Sequence, residues 1–452
     1  MMSNKNPITP VFLLFLLITT VLIFLNYITA DINIGPFQIK KVDLFSDLRP
    51  EETDSLLANY KPQVDNDKIE DRDLDELLAK LTIPIEDFGN SGLSCFYNAL
   101  TGFQPGDKLR IAYYGDSIIE GDLFSQDLRN YIQKRFGGAG VGFVPITNNN
   151  SGIRNTIQHQ YSSNFINYSI LKKKPQGIYF GINGFVYLTD TTSAYNDSLH
   201  SNTDNYWVEY EQPNKTKIFN SVRIFYSTLS DSAYCTYSVN GLEYNELLLP
   251  KSIWVKEVRI DNINSDKIKV NFSKHLMLYG VSFEDNQGVF VDNFSIRGHS
   301  GLQLTRIPQT MLECFNSFMN YKLIILQFGA NVITEETKDY SWYKEGMVKV
   351  IKHFQSAFPN TSILLISSSD RSKKDIKGFK TLPCLTKLID AQRNAAKSTN
   401  IAFWNIYKAM GGNNSMPLWV EEKLASPDYT HFNFAGAKIL SGKLTKSLFL
   451  KL

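Results

Sequence analysis

Between about Asn148 and Glu284 the chain holds no helix-spaced stretch of convincing length, whereas on both sides of that interval strands alternate with helices. The interval itself is a series of short runs, among them GIYFGINGFVYLT, NYWVEYEQ, KIFNSVRIFYSTL, KSIWVKEVRI, DKIKVNFS and LMLYGVSF, punctuated by Asn, Ser, Gly and Asp. Short strands separated by turn residues predict an antiparallel β-sandwich. Before it, Lys108 to Tyr114 (KLRIAYY) reads as a strand, and Leu123 to Phe136 has apolar residues at helical spacing. After it, strands are expected within Gly288–Ile296, Leu323–Phe328 (LIILQF), Ser362–Ser367 (SILLIS) and Ile401–Ile406. Helices are expected over Gln303–Phe318, Tyr343–Phe358, Leu385–Ser398 and Ala435–Leu448. Uninterrupted apolar strands followed by helices predict a parallel sheet covered on both faces. The expected architecture is one α/β domain, residues 93–147 and 285–452, interrupted by a β-sandwich at 148–284.

The N-terminus bears on location. Val11 to Leu25 (VFLLFLLITTVLIFL) carries no charge and follows Lys5. The run extends through Ile28, so about 18 residues suit a bilayer crossing. A signal peptide cut after Ala30 is the alternative, but it would put Ile28 where a small residue is preferred. Residues 1–30 are therefore read as a signal or membrane anchor, with Lys5 predicting that the remainder lies outside the cytoplasm. That places the protein in the periplasm on the inner membrane, or secreted if the segment is cleaved. Residues 31–92 read as a tether, since Asp47 to Glu76 is charged and poor in large apolar residues. A short helix is expected over Glu70–Leu81.

Charge and composition exclude several classes. With 47 basic and 45 acidic residues the net charge is +2, which gives no electrostatic footprint for nucleic acid. Six histidines and four cysteines show no metal-ligand spacing, so no metal or organic cofactor is expected. Cys95, Cys235, Cys314 and Cys384 are compatible with free thiols or with bridges.

Four short blocks carry chemistry. Gly115-Asp116-Ser117 lies where a strand gives way to a helix, so Ser117 would sit near a positive helix N-terminus. Asp116 would hydrogen-bond within that turn and orient the serine. Gly298 follows the second strand, and Gly329-Ala330-Asn331 follows LIILQF. A backbone N–H at Gly298 and an amide at Asn331 suit donation to an oxyanion. Asp428-Tyr-Thr-His431 precedes the last helix, where Asp428 can fix the tautomer of His431 while His431 takes a proton from Ser117. A parallel sheet brings such strand ends to one edge. Taken singly, each block also reads as a cap, a turn or a surface loop. His299 suits either a structural role or substrate contact, and Trp207 and Trp254 either core packing or sugar platforms.

With Ser in G-D-S, then Gly, then Asn in G-x-N, then His in D-x-x-H, the chain resembles the SGNH (GDSL-like) hydrolases. The resemblance implies a three-layer α/β/α fold and esterase chemistry. It implies Ser117, His431 and Asp428 as the triad, with Ser117, Gly298 and Asn331 as the oxyanion hole. Within that superfamily, YYGDSIIEGDLFSQDLRNYIQKRFGGAGVGFVP is similar to the opening block of peptidoglycan O-acetylesterases, whose next segment is a carbohydrate-binding-like β-sandwich. Ile118, Ile119 and Ala330 depart from residues common in that group, at positions that supply no triad atom. The implied partner is an O-acetylated glycan. An O-acetyltransferase using the same triad, or an anchored glycan-binding protein with an inactive hydrolase domain, are the alternatives.

Overall fold

The computed structural model describes residues 32–34, 37–39, 83–89, 91–148, 153–190, 205–214, 219–242, 244–376 and 378–449. The anchor reading at 1–30 and the helix expected at 70–81 lie outside them. No helix among the described residues is long and apolar enough to cross a membrane. The chain divides into two units, residues 1–67 and 68–452. In the first, Ile32–Ile34 pairs antiparallel with Phe37–Ile39.

In the second unit, a six-stranded sheet runs in the order Gly288–Ser295, Lys108–Gly115, Tyr321–Gln327, Ser362–Ile366, Ala402–Trp404, Glu86–Asp87. The first five strands are parallel, and the short last one is antiparallel. Helices Ser94–Thr101, Ser125–Phe136 and Phe434–Phe449 bury apolar faces on one side of the sheet. Gln309–Met319, Ser341–Ala357 and Leu385–Ser398 cover the other. Covering both faces accounts for the near-continuous apolar strands. The folded body starts earlier than Leu93. Glu86–Asp87 extends the sheet, Ile83 and Ile85 pack on the core, and the Ile83 carbonyl accepts from Trp404 and Ser447. The segment read as tether to residue 92 is thus partly structural.

Two antiparallel sheets make up the interrupting region. Five strands of one run in the order Ser252–Ser265, Phe219–Thr228, Leu276–Glu284, Phe185–Leu188, Ile166–Ser169. The other is Asn245–Leu248, Tyr234–Val239, Lys267–Phe272, Tyr206–Glu211, Gln158–Tyr161. Val208, Tyr210, Ile224, Ile268, Val270, Val281 and Phe283 form the core between them. One boundary differs from the sequence reading. Gly142–Val144, assigned above to the α/β half, pairs with Val281–Phe283 and so joins the first of these sheets. Three residues carry too weak a periodicity to reveal this.

Buried charge joins the two parts. Arg110, on the strand leading to Ser117, donates to both carboxylate oxygens of Asp292 at 2.9 and 3.0 Å and pairs with Glu284 at 2.5 Å. Glu284 also takes Arg223 at 3.0 Å and Lys108 at 3.1 Å. Burial alone would raise the Glu284 carboxyl, but Arg110, Arg223 and Lys108 outweigh it and hold it well below the usual range. Asp292 further accepts from Tyr321 and from the Phe143 N–H, so its charge is enclosed by donors.

Candidate active site

Gly115 ends its strand in register with Ser295 on one side and Gln327 on the other, which brings three of the sequence blocks to one edge. A Cβ at Gly115 would come within 2.8 Å of Ile119 and 3.0 Å of the Gln327 carbonyl, so the close turn admits only glycine. Asp116 caps the following 3₁₀ turn, Ser117–Asp122, by accepting from the Ile118 N–H at 3.0 Å. The helix expected from Leu123 starts at Ser125, because Asp122 and Phe124 adopt positive φ (71° and 63°). That kink buries Phe124 edge-on against Phe432, the residue after His431.

Ser117 Oγ lies 2.9 Å from His431 Nε2, and His431 Nδ1 lies 2.5 Å from Asp428 Oδ2. The other oxygen of Asp428 accepts the backbone N–H groups of Thr430 and His431, both at 3.0 Å. Burial would raise the Asp428 carboxyl, but the His431 hydrogen bond and charge and the two N–H groups lower it below its usual value. An anion facing Nδ1 favours the tautomer protonated there, leaving Nε2 to accept from Ser117. The structure therefore brings Ser117, Asp428 and His431 together in an arrangement that can deprotonate a serine hydroxyl.

The two other predicted donors stand in different states. Gly298 is exposed, has φ 74°, and a Cβ there would meet nothing within 4 Å. Its N–H donates to no protein acceptor among the described residues. Asn331 Nδ2 faces Asp116 Oδ2 at 3.1 Å and the His299 carbonyl at 3.3 Å, so both amide protons are engaged. Donation to an oxyanion requires one of them to be shared or released. Asp116 is fully buried, and burial pushes its carboxyl up to about 6 despite the lowering effects of Ile118, His431 and Asn331.

His299 is 1% exposed and set edge-on against Phe328 at 5.2 Å. Burial pushes its pKa down to about 4, and its backbone carbonyl accepts from Asn331. Trp254 packs on Tyr179, whereas Trp207 alternates with the buried Tyr206 and Val208 and lies under Lys269, whose Nζ is 4.4 Å from the ring. The four cysteines are free thiols. No group of metal-ligating side chains occurs among the described residues.

Sequence reading assigned no role to a buried node behind Ser117. Asp122 takes Arg129 bidentately at 2.8 and 2.9 Å, Thr156 at 2.6 Å, Ser125 at 2.5 Å and Arg154 at 3.3 Å. Arg154 and Thr156 belong to the interrupting region, and Ile153 blocks any side chain at Gly121. Arg154 and Thr156 lie 32 and 34 residues from Asp122, beyond the reach of a local motif.

The chain is similar to the solved structure of a peptidoglycan O-acetylesterase ("Peptidoglycan O-acetylesterase in action, 5 min"), with a TM-score of 0.66 at 20% identity over 80% of this chain and 97% of that one. A family two carbohydrate esterase from Cellvibrio japonicus scores 0.26 at 8% identity over 55% of this chain and 91% of that one. An acetyl xylan esterase scores 0.26 at 13% over 36% and 82%. No family model matches the chain, and no curated protein matches it in sequence. The fold is that of the solved peptidoglycan O-acetylesterase, with a parallel sheet and an inserted antiparallel β-sandwich.

Proposed function

We propose that this chain, with the architecture of the solved peptidoglycan O-acetylesterase, is a serine esterase that removes O-acetyl groups from a cell-envelope polysaccharide, peptidoglycan foremost. The observation that carries the reading is the hydrogen-bonded series Ser117–His431–Asp428 at the sheet edge. His431 takes the Ser117 proton as Oγ attacks the ester carbonyl, and Asp428 stabilises the imidazolium. The Ser117 and Gly298 N–H groups and the Asn331 amide receive the oxyanion. His431 gives the proton to the leaving sugar oxygen; water, deprotonated by the same ring, then attacks the acetyl-serine, and His431 returns a proton to Oγ as acetate leaves. In this reading the β-sandwich binds glycan, and the N-terminal segment holds the enzyme outside the cytoplasm on the inner membrane, or is cleaved on secretion.

Acetate release from p-nitrophenyl acetate and from O-acetylated peptidoglycan tests it, with Ser117→Ala and His431→Ala as controls. Release from both substrates, lost in both variants, is the expected result. Release from the simple ester alone would retain the esterase and remove peptidoglycan as substrate. Acetyl transfer to an added sugar in place of release would identify a transferase.

A further inference from the structure

Between the strand Ser362–Ile366 and the helix Leu385–Ser398 the chain builds a hairpin in which Ser372–Asp375 pairs with Gly378–Thr381. Its base is closed by the Leu382 N–H on the Arg371 carbonyl at 3.0 Å, and its tip carries Ile376 fully exposed. The hairpin grips two loops of the site. On one side the Arg371 guanidinium donates to the Ala330 carbonyl at 2.8 Å, next to Asn331, and Lys373 pairs with Glu335 at 2.6 Å. On the other side the Ser372 N–H donates to the Tyr429 carbonyl at 3.1 Å. The Phe379 ring lies face to face on Tyr429, with centroids 3.5 Å apart and planes 7° from parallel.

Tyr429 stands between Asp428 and His431 and has φ 56°. A tyrosine stays in that left-handed region only when its surroundings hold it there. The hydrogen bonds within the loop, from the Ser426 N–H to the His431 carbonyl and from the Tyr429 N–H to the Ser426 carbonyl, tie the loop to itself. Phe379 and Ser372 instead tie Tyr429 to the hairpin. Relaxation at Tyr429 would turn Asp428 relative to His431.

We propose that the segment Arg371–Thr381 is a strut that sets the site's geometry from outside. In it Phe379 is a positioning residue for the Asp428–His431 loop, and Arg371 a positioning residue for the loop carrying Asn331. The inference rests on the esterase reading above, and neither residue is assigned contact with substrate.

The test uses the full-length chain with Phe379→Ala, Phe379→Tyr, Arg371→Met and Arg371→Lys, after each is shown to fold. Two readouts are taken. One is the second-order rate of Ser117 labelling by an alkyl fluorophosphonate, which needs an activated serine but no particular acyl substrate. The other is kcat, KM and the pH profile with p-nitrophenyl acetate. Phe379→Ala is expected to lower both the labelling rate and kcat by about 10- to 100-fold, with KM within about twofold, since misplacement of a reacting group by about 1 Å costs on that scale. The acid limb of its kcat profile is expected to move to lower pH, because a loosened carboxylate favours the imidazolium less. Phe379→Tyr keeps the stack and is expected to stay within about threefold of the parent. Arg371→Met leaves that stack intact and is expected to lower kcat about tenfold without moving the limb, with partial recovery in Arg371→Lys. Folded Phe379→Ala and Arg371→Met with unchanged labelling, kcat and profile would overturn the strut. So would equal losses in Phe379→Ala and Phe379→Tyr. A parent chain labelled no faster than Ser117→Ala would instead sink the esterase reading, and the strut with it.

Discussion

Asn331 is fastened to Asp116, its Nδ2 donating to Oδ2 across 3.1 Å while Oδ1 of the same carboxylate takes the Ile118 N–H at 3.0 Å. One buried carboxylate thus fixes both the turn that carries Ser117 and the amide assigned to the oxyanion. Asp116→Asn has one oxygen for two donors, so either Ile118 or Asn331 loses its acceptor. We expect kcat for p-nitrophenyl acetate to fall about 10- to 100-fold with KM little changed, short of the about 10²–10³ for losing an oxyanion donor outright. Steady-state kinetics on the folded variant check this.

The contact between Asp428 and His431 leads to a sharper loss. An asparagine at 428 can still accept the Thr430 and His431 N–H groups, but it supplies no charge to Nδ1 and favours the wrong tautomer. Asp428→Asn is expected to lower kcat by about 10³–10⁴ with a melting temperature close to the parent's. Parallel kinetic and thermal measurements separate the catalytic effect from loss of fold.

The node at Asp122 makes the β-sandwich part of the serine's support. Burial would raise the Asp122 carboxyl, but Arg129 and Arg154 dominate and hold it well below the ordinary range. Asp122→Asn leaves two buried guanidinium groups without their counter-charge and is expected to cost about 3–5 kcal/mol in denaturant unfolding. Thr156→Val removes one hydrogen bond and leaves an acceptor lone pair unmet, about 1–3 kcal/mol. Deleting residues 148–284 is expected to yield no cooperatively folding esterase, as read by circular dichroism and thermal melting.

The pH dependence of stability has a worked sign. Burial raises Asp116 to about 6, so between pH 4 and 6 the native state keeps a proton that the unfolded chain has released. That contribution makes the fold less stable as pH rises through the window. Burial lowers His299 to about 4, so the unfolded chain binds the extra proton between pH 4 and 6.5, and stability from this group rises with pH. The two oppose each other in the parent. In Asp116→Asn the His299 slope is no longer opposed by Asp116, and the melting temperature is expected to climb more steeply from pH 4 to 6 than the parent's.

The main lines of the fold were legible because two periodicities meet in one chain. LIILQF and SILLIS can be buried strands of a parallel sheet and little else, and Leu385–Ser398 matches its observed helix end to end. The blocks around Ser117, Gly298 and Asn331 could be placed on one edge from strand order, whereas the His431 loop follows two helices and reaches Ser117 through its side chain. Most of what escaped was set by contacts distant in sequence, and one break by a proline inside a helical pattern. Gly142–Val144 is a strand only because Val281–Phe283 lies beside it. Gln303–Phe318 looked like one helix, yet Pro308 lacks the N–H an unbroken helix needs, and the chain forms a 3₁₀ turn at Leu302–Arg306 before Gln309–Met319. The Ser372–Thr381 hairpin, with four lysines in ten residues and few apolar ones, gives little periodic signal, and Phe379 acquires its meaning from Tyr429.

Arg110 and Asp292, partners in the buried charge cluster, stand 182 residues apart, with the whole β-sandwich between them. On a ribosome extending at about 5–20 residues per second, the strand that presents the nucleophile leaves the exit tunnel roughly 10–35 s before the neighbour that pairs with it. Until then its apolar face has no sheet to join, and the guanidinium destined for the interior has no counter-charge. Synthesis therefore imposes an order: Arg110 waits unpaired until the sandwich's last strand brings Glu284 and the following strand, Gly288–Ser295, brings Asp292.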